Sequence, residues 1–462
     1  FIMLSALIFW FMPYHGIFAS QMIFQSEDAS RLVGAESSEL KATNLESRVL
    51  SCQSRNVENS STRNGRIQDL IETAYKSQVQ PNSPSAQQNW PMFQHDSNHT
   101  GYYGGLAPSR NLTLWKSPVP CNIHQPSPVV ADGRVFLGTF GGINKIYALN
   151  QSTGAILWSK EVASSIYRSV AYFDKKIYFG TVGPEHGEEK APLFYCLNAV
   201  DGSLIWTYDP NLGSGEGFYS APTISDGIVY VGVSYNLLAL NATTGELVWS
   251  YSLGRRVFSS PAVAGNRVYV TYGLDGDDSL LCLNASNGEL IWRFEYPDSD
   301  LSITFGTPSL ANGRVFLEGS GVTKSTPHYV RSKVYCLNAT NGELLWDYTP
   351  LGEVDYYRFS PALAYGKIYI ASGGQLVCLD QSSGTPIWSS PQIGITYSPA
   401  VADGKIYIGS KNAIYCFDAI TGAEIWKYTI SDGEVYFATP AISDGKLFVC
   451  LLYTSPSPRD RG

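Results

Sequence analysis

The sequence predicts an all-β fold, an eight-bladed β-propeller of four-stranded antiparallel blades, with seven complete blades and one split and truncated. Three observations predict it. A glycine stands four residues before a tryptophan seven times, at Gly154/Trp158, Gly202/Trp206, Gly245/Trp249, Gly288/Trp292, Gly342/Trp346, Gly384/Trp388 and Gly422/Trp426. The intervals between these tryptophans, 48, 43, 43, 54, 42 and 38 residues, bracket the roughly 40 to 50 residues of a four-stranded blade. Asp-Gly and Asn-Gly pairs at Asp132-Gly133, Asp226-Gly227, Asn287-Gly288, Asn312-Gly313 and Asp444-Gly445 supply the positive φ of two-residue hairpin turns.

The unit Ser398 to Tyr428 displays the blade in order. Ser-Pro-Ala-Val leads through Asp403-Gly404 into Lys-Ile-Tyr-Ile-Gly; Ile-Tyr-Cys-Phe leads through Thr421-Gly422 into Glu-Ile-Trp-Lys-Tyr. Such meanders fill residues 127 to 428 seven times. Trp115, 43 residues before Trp158, marks an eighth copy of the last strand alone. Asn111 to Val119 then gives the outer strand of a split blade and Thr439 to Val449 its inner two, with the third strand missing and closure imperfect. A blade alone cannot bury both faces, so Trp115, Trp158, Trp206, Trp249, Trp292, Trp346, Trp388 and Trp426 are expected to pack between blades.

Around this body the chain divides into residues 1–20, a truncated signal peptide with small residues at Ala19 and Ser20; 21–88, a Ser-, Asn-, Gln- and Glu-rich disordered leader; 89–450, the propeller; and 451–462, a tail that breaks the repeat. The expected location is secreted, periplasmic or cell-surface, without a transmembrane segment in the mature chain. Net charge is -8, charged residues make up 16% and no Lys/Arg run interrupts the body. That argues against nucleic acid as a partner.

Cys196, Cys282, Cys336, Cys378 and Cys416 share one place in the third strands, where Ala148 and Ala239 stand in other blades. A position accepting Cys or Ala needs a small buried side chain, and equivalent strands lie too far apart for disulfides, so thiols are expected. The six histidines are scattered and no Cys-x-x-Cys occurs, so no metal site is expected. Asp275-Gly276-Asp277-Asp278 reads as a solvated turn. The sequons at Asn150, Asn241, Asn284 and Asn338 fit either glycosylation or the needs of the turn they occupy.

Function is expected at the loops. The links from strand four to the next strand one and from two to three share one rim, and the long excursions Gly183–Pro192, Asp209–Phe218, Leu274–Ser279, Tyr296–Phe305 and Gly319–Ser332 all fall there. Just before the inner strands stand Tyr167, Arg168, Tyr219, Arg256, Phe258, Phe305, Tyr357, Arg358, Phe359, Tyr397 and Phe437. Aromatic and Arg side chains are the residue types of interface hot spots and of sugar stacking. The expectation is a non-catalytic scaffold that binds a protein or glycan through this rim.

The repeat resembles the pyrroloquinoline-quinone-like (PQQ-like) propeller family. Ser260-Pro261-Ala262-Val263 and Leu240-Asn241-Ala242-Thr243-Thr244-Gly245-Glu246-Leu247-Val248-Trp249 carry the likeness, as does the lead-in Trp90-Pro91-Met92-Phe93-Gln94-His95-Asp96 to Gly101-Tyr102. The resemblance implies the propeller fold over residues 89 to 450. For function it implies either a cofactor-free scaffold, like the propeller subunit of the outer-membrane assembly machinery, or a quinone-dependent dehydrogenase. The dehydrogenases of the family carry adjacent paired cysteines, a Ca²⁺ site and a catalytic Asp; this sequence has no Cys-Cys pair. No cofactor and no catalytic residue are therefore expected, with a quinoprotein dehydrogenase and an architectural cell-envelope unit as the alternatives.

Overall fold

The repeat folds locally because its turns and strands agree. In the seventh blade Ala400–Ala402 reverses into Lys405–Ser410 through Asp403 and Gly404, whose φ values of 49° and 67° are the left-handed pair of a tight hairpin. Ala413–Asp418 and Glu424–Thr429 complete the meander. The structure, a computed structural model, describes residues 19–25 and 89–453 apart from 118, 120–126, 141–142, 184–190, 214, 274–278, 296–300, 324–329, 351–358, 396 and 430–434.

Seven complete antiparallel blades follow one another, with innermost strands Val129–Ala131, Ala171–Phe173, Thr223–Ser225, Ala262–Ala264, Ser309–Ala311, Ala362–Ala364 and Ala400–Ala402. No helix occurs among the described residues. The second and third strands are buried almost throughout, whereas the outermost strand is half exposed, as in Leu344–Tyr348. The fifth blade departs from expectation. Residues 301–305 and 319–323, expected as loop, pair with each other, and Val322 pairs onward with Val330. Thr, Ile and Val in these stretches favour extended backbone, and the hairpin satisfies its own polar groups.

An additional sheet lies between the first and seventh blades. Ala441–Ser443 and Lys446–Tyr453 form its inner part and Thr113–Ser117 its outer strand, the split arrangement the repeat predicts. Its third strand is not missing. Ala19–Gln25, assigned by the sequence to the end of the export segment and the start of the leader, runs antiparallel to Lys446–Tyr453 and to Thr113–Ser117. Two strands facing each other across a one-strand gap leave two rows of unpaired amides, and a β-prone Met-Ile-Phe run satisfies both. The strand ending at Tyr453 also carries the ladder three residues past the point where the sequence reading ends the propeller.

Between blades, every blade indole except that of Trp426 sits beneath the turn glycine of the next blade. A Cβ built on Gly245 would lie 2.6 Å from the Trp206 ring, and one on Gly154 2.5 Å from that of Trp115. The indole N–H groups of Trp115, Trp158, Trp206, Trp249 and Trp292 donate to backbone carbonyls of the following blade. In the second strands, Tyr178 and Tyr230 donate to the same carbonyls as Trp206 and Trp249. The small third-strand residue lies between them, with Cys196 paired to Tyr178 on one side and Trp206 on the other. Cys196, Cys282, Cys336, Cys378 and Cys416 are buried and form no disulfide, and Cys450 of the additional sheet is buried too. Burial pushes Cys378 up to about 12 and raises Cys196, Cys282, Cys336 and Cys416 likewise, so these five thiols stay protonated and unreactive.

In the turns before the outer strands, the Oδ1 of Asn150 accepts from the Ser152 and Thr153 amides, and that of Asn241 from Thr243 and Thr244. Asp380 and Asp418 do the same with a carboxylate. The turn thus uses this oxygen whether or not a sequon is present.

Candidate functional site

The axis of the propeller is filled by the lead-in. Its backbone bonds the middle residue of one innermost strand after another: Pro91 O accepts from Tyr172, Ser97 O from Val263, Asn98 O from Leu310, Thr100 O from Leu363 and Gly101 O from Val401. Trp90 exchanges both bonds with Val130, and Leu106 O accepts from Gly445. At the third blade the contact is between side chains instead, His99 Nε2 meeting Thr223 Oγ1 at 2.9 Å. Innermost strands present an edge of unpaired amides to the axis, and this segment satisfies one in six of the seven blades. His99 is fully buried, which lowers its pKa to about 4, so the ring is neutral at physiological pH.

Above the lead-in runs a belt of hydroxyls. Each blade places one residue at the entrance to its innermost strand, namely Ser127, Ser169, Ala221, Ser260, Thr307, Ser360 and Ser398 in the seven blades, with Thr439 in the additional sheet. The Oγ of Ser169 accepts from the amide of Ser127, Ser260 from Ala221, Thr307 from Ser260 and Ser398 from Ser360, at 2.9 to 3.1 Å. Neighbouring blades are thereby tied at the entrances to their innermost strands. The Ser/Thr-Pro dipeptide that recurs before inner strands was the sequence signal for this belt, visible but not recognised as functional.

The belt and Phe93 of the lead-in form the floor of a funnel open to solvent, about 530 Å³ with the solvent at its mouth included. Its walls include Arg168, Phe258, Phe359 and Tyr397, four of the residues singled out in the sequence. An arc of rings continues from it. Phe140 meets Tyr167 edge-on at 5.5 Å, Tyr167 meets Tyr219 at 5.5 Å, and Tyr219 meets Phe258 at 5.4 Å. Arg168 lies 5.3 Å from the Tyr167 ring and donates to the carbonyl of Tyr219 at 3.0 Å; Arg256 lies 5.7 Å from the Tyr219 ring and 3.4 Å from Glu216. Thus Tyr167, Arg168, Tyr219, Arg256 and Phe258 are brought together across three blades. Phe305 and Phe437 lie on strands entering the same rim. Tyr357 and Arg358 lie outside the described residues, as does Asp275-Gly276-Asp277-Asp278.

One titratable group behind the funnel wall was missed. Position five of the second strand is Gly138, Gly180, Gly232 and Gly409 in four blades, but Glu318 in the fifth. The Glu318 carbonyl accepts from the amide of Gly306, a residue of the funnel lining. Its carboxyl is 4% exposed, and one oxygen accepts from Ser332 Oγ at 2.8 Å while the other has no partner. Burial raises its pKa to about 8. Thr271 and Ala371 hold the position in the remaining two blades, and no sequence period could flag the glutamate at a position that already varies and whose depth depends on the neighbouring blade.

With this geometry in hand, the class is defined. The family described as outer membrane protein assembly factor BamB matches residues 105–209 and 189–428, and the chain belongs to this family of PQQ-like propellers. Among individual relatives, tetrathionate hydrolase of Acidithiobacillus ferrooxidans is 29% identical over 198 residues, 37% of either protein. Outer membrane protein assembly factor BamB of Yersinia pestis is 25% identical over 268 residues, 54% of this chain and 62% of that one. Quinohemoprotein alcohol dehydrogenase of Comamonas testosteroni is 29% identical over 181 residues, 36% of this chain and 25% of that one. Its crystal structure aligns with a TM-score of 0.57 at 12% identity over 83% of each chain, which shows a shared fold. The matches span less than two thirds of each of these three relatives.

Proposed function

We propose that the protein is an extracytoplasmic, non-catalytic scaffold whose funnel rim binds a protein partner, with the additional sheet acting as an eighth blade that closes the ring. The observation that carries this is the arc of Tyr167, Arg168, Tyr219 and Phe258, a half-buried aromatic and guanidinium surface assembled from separate blades at the mouth of an axis that is itself filled. Such a surface has the composition of a binding hot spot. The membership of a family described by an outer-membrane assembly factor supports the location.

The second reading, a quinone-dependent dehydrogenase, is favoured by the likeness to the Comamonas enzyme. A quinone bearing carboxylates with a divalent cation needs oxygen donors around a slot on the axis. The described residues lining the funnel are one guanidinium, hydroxyls, small residues and aromatic rings, with no carboxylate or amide side chain among them. That donor set does not fit the group.

Site-specific photo-cross-linking tests the proposal. A photoreactive residue replacing Tyr219, Phe258 or Tyr397 is expected to give a discrete protein adduct in the native envelope, and Arg168→Ala is expected to reduce it. Adducts only from control positions such as Thr243 would defeat the proposal, and a glycan adduct would replace its partner class.

A further inference from the structure

The face of the disc away from the funnel carries a second surface. At the start of the outermost strand in each of the first five blades two apolar residues precede the tryptophan and both are about half exposed: Ile156 and Leu157 at 50% and 47% and Leu204 and Ile205 at 51% and 44% in the first two, and in the third, fourth and fifth Leu247 and Val248 at 46% each, Leu290 and Ile291 at 46% and 42%, and Leu344 and Leu345 at 37% and 42%. The second of each pair is the extra residue of a β-bulge, since Leu240 pairs with Leu247 while Ala239 pairs with Trp249. The same offset recurs at Ile291 and Leu345. A bulge bends the edge and breaks the ladder, so these strands are poor templates for strand addition and hold their apolar side chains outward.

Only in these three consecutive blades does a glutamate precede the pair, giving Glu246-Leu247-Val248, Glu289-Leu290-Ile291 and Glu343-Leu344-Leu345. The carboxylates bond only uncharged groups of their own turns, Thr244, Asn287 and Asn341. None of them forms an ion pair among the described residues. Because the blades are neighbours, three acidic-apolar triplets stand side by side at one height on the perimeter. Repeated apolar exposure of this kind marks an interaction surface rather than chance.

We propose that this arc is a docking site for a basic amphipathic helix of a protein partner, with lysine or arginine opposite the three glutamates and leucine-like side chains over the apolar pairs. Charge selects the occupant. A second copy carries the same acidic arc and a net charge of -8, and an anionic lipid surface would be repelled. The bulges remove the backbone ladder, so recognition runs through side chains, as in helix docking on an apolar strip.

The experiment measures binding of a fluorescent Lys/Leu amphipathic peptide to the full chain by anisotropy at physiological salt. Two control peptides replace Leu by Ser or Lys by Glu. The Lys/Leu peptide is expected to bind at least tenfold more tightly than either control. Both the triple variant Glu246→Lys, Glu289→Lys, Glu343→Lys and the triple variant Leu247→Ser, Leu290→Ser, Leu344→Ser should weaken it at least tenfold. These sites are surface positions, and an unchanged melting temperature verifies folding. Single-site versions serve if a triple variant unfolds. Equal binding of the Lys/Ser or Glu/Leu peptide, or insensitivity to either set of substitutions, overturns the proposal. So does self-association, or binding to zwitterionic vesicles, that the leucine substitutions abolish. Cross-linking at the funnel reports on the other face, so either result stands without the other.

Discussion

The indole N–H of Trp249 donates to the carbonyl oxygen of Ala285 in the next blade at 2.8 Å, and the hydroxyl of Tyr230 donates to the same oxygen at 3.2 Å. One carbonyl thus joins the second and outermost strands of one blade to the turn of its neighbour. Trp249→Phe keeps most of the packing and removes one donor, at about 1 kcal/mol. Trp249→Ala opens a cavity between blades and is expected to cost about 3 to 5 kcal/mol. Tyr230→Phe and Trp249→Phe share an acceptor, so a double-mutant cycle by urea unfolding should show non-additivity. Strict additivity would mean that the shared carbonyl is not what couples them.

Glycine at the blade turn serves two purposes that substitution separates. Gly245 has φ +77° and its Cβ would meet Trp206 at 2.6 Å, whereas Gly227 has φ +73° and open space around it. Gly227→Ala should cost only the left-handed strain, about 1 kcal/mol. Gly245→Ala adds displacement of the indole and should lower the melting temperature clearly more. Equal losses at the two positions would remove steric contact with tryptophan as the reason for the motif.

The hydroxyl belt predicts a loss without any change in shape. Ser398→Ala leaves the buried amide of Ser360 without its acceptor, at about 1 to 3 kcal/mol. Ser398→Thr retains the oxygen and should recover part of the loss. Thermal unfolding of the two variants beside the parent checks this, and equal melting temperatures for Ala and Thr would count against the belt.

Glu318 gives the stability a pH dependence of known sign. Its pKa rises from 4.5 to about 8 on folding, so between those values the folded chain keeps a proton that the unfolded chain releases. Its contribution therefore declines as pH rises through this window, by up to about 1.4 kcal/mol per pH unit, and levels off above about 8. Glu318→Gln should match the parent near pH 4.5 and exceed its melting temperature increasingly towards pH 8. A constant difference across that range would show that the carboxyl is already ionised in the folded protein.

The funnel was legible only in part. Tyr167, Arg168, Tyr219, Arg256 and Phe258 stand out because aromatic and Arg residues recur at one place in the repeat, and the structure gathers them into a single arc. Phe93 could not be placed there from the sequence, because the lead-in has no period of its own and takes its path from amides supplied by strands hundreds of residues away. Leu301–Phe305 was misjudged for a related reason, its partner strand lying within a stretch that reads as a loop.

By itself the sequence determined the blade: the spacing of Gly245 and Trp249, the Asp403-Gly404 turn and the apolar runs of the buried second strands are local instructions that short-range hydrogen bonding and side-chain size carry out. Only the tertiary structure decided how the blades are sealed. Ala19–Gln25 enters the terminal sheet and Trp90–Leu106 threads the axis because open strand edges, far apart in the chain, must find donors and acceptors somewhere, and no local pattern specifies which distant segment supplies them.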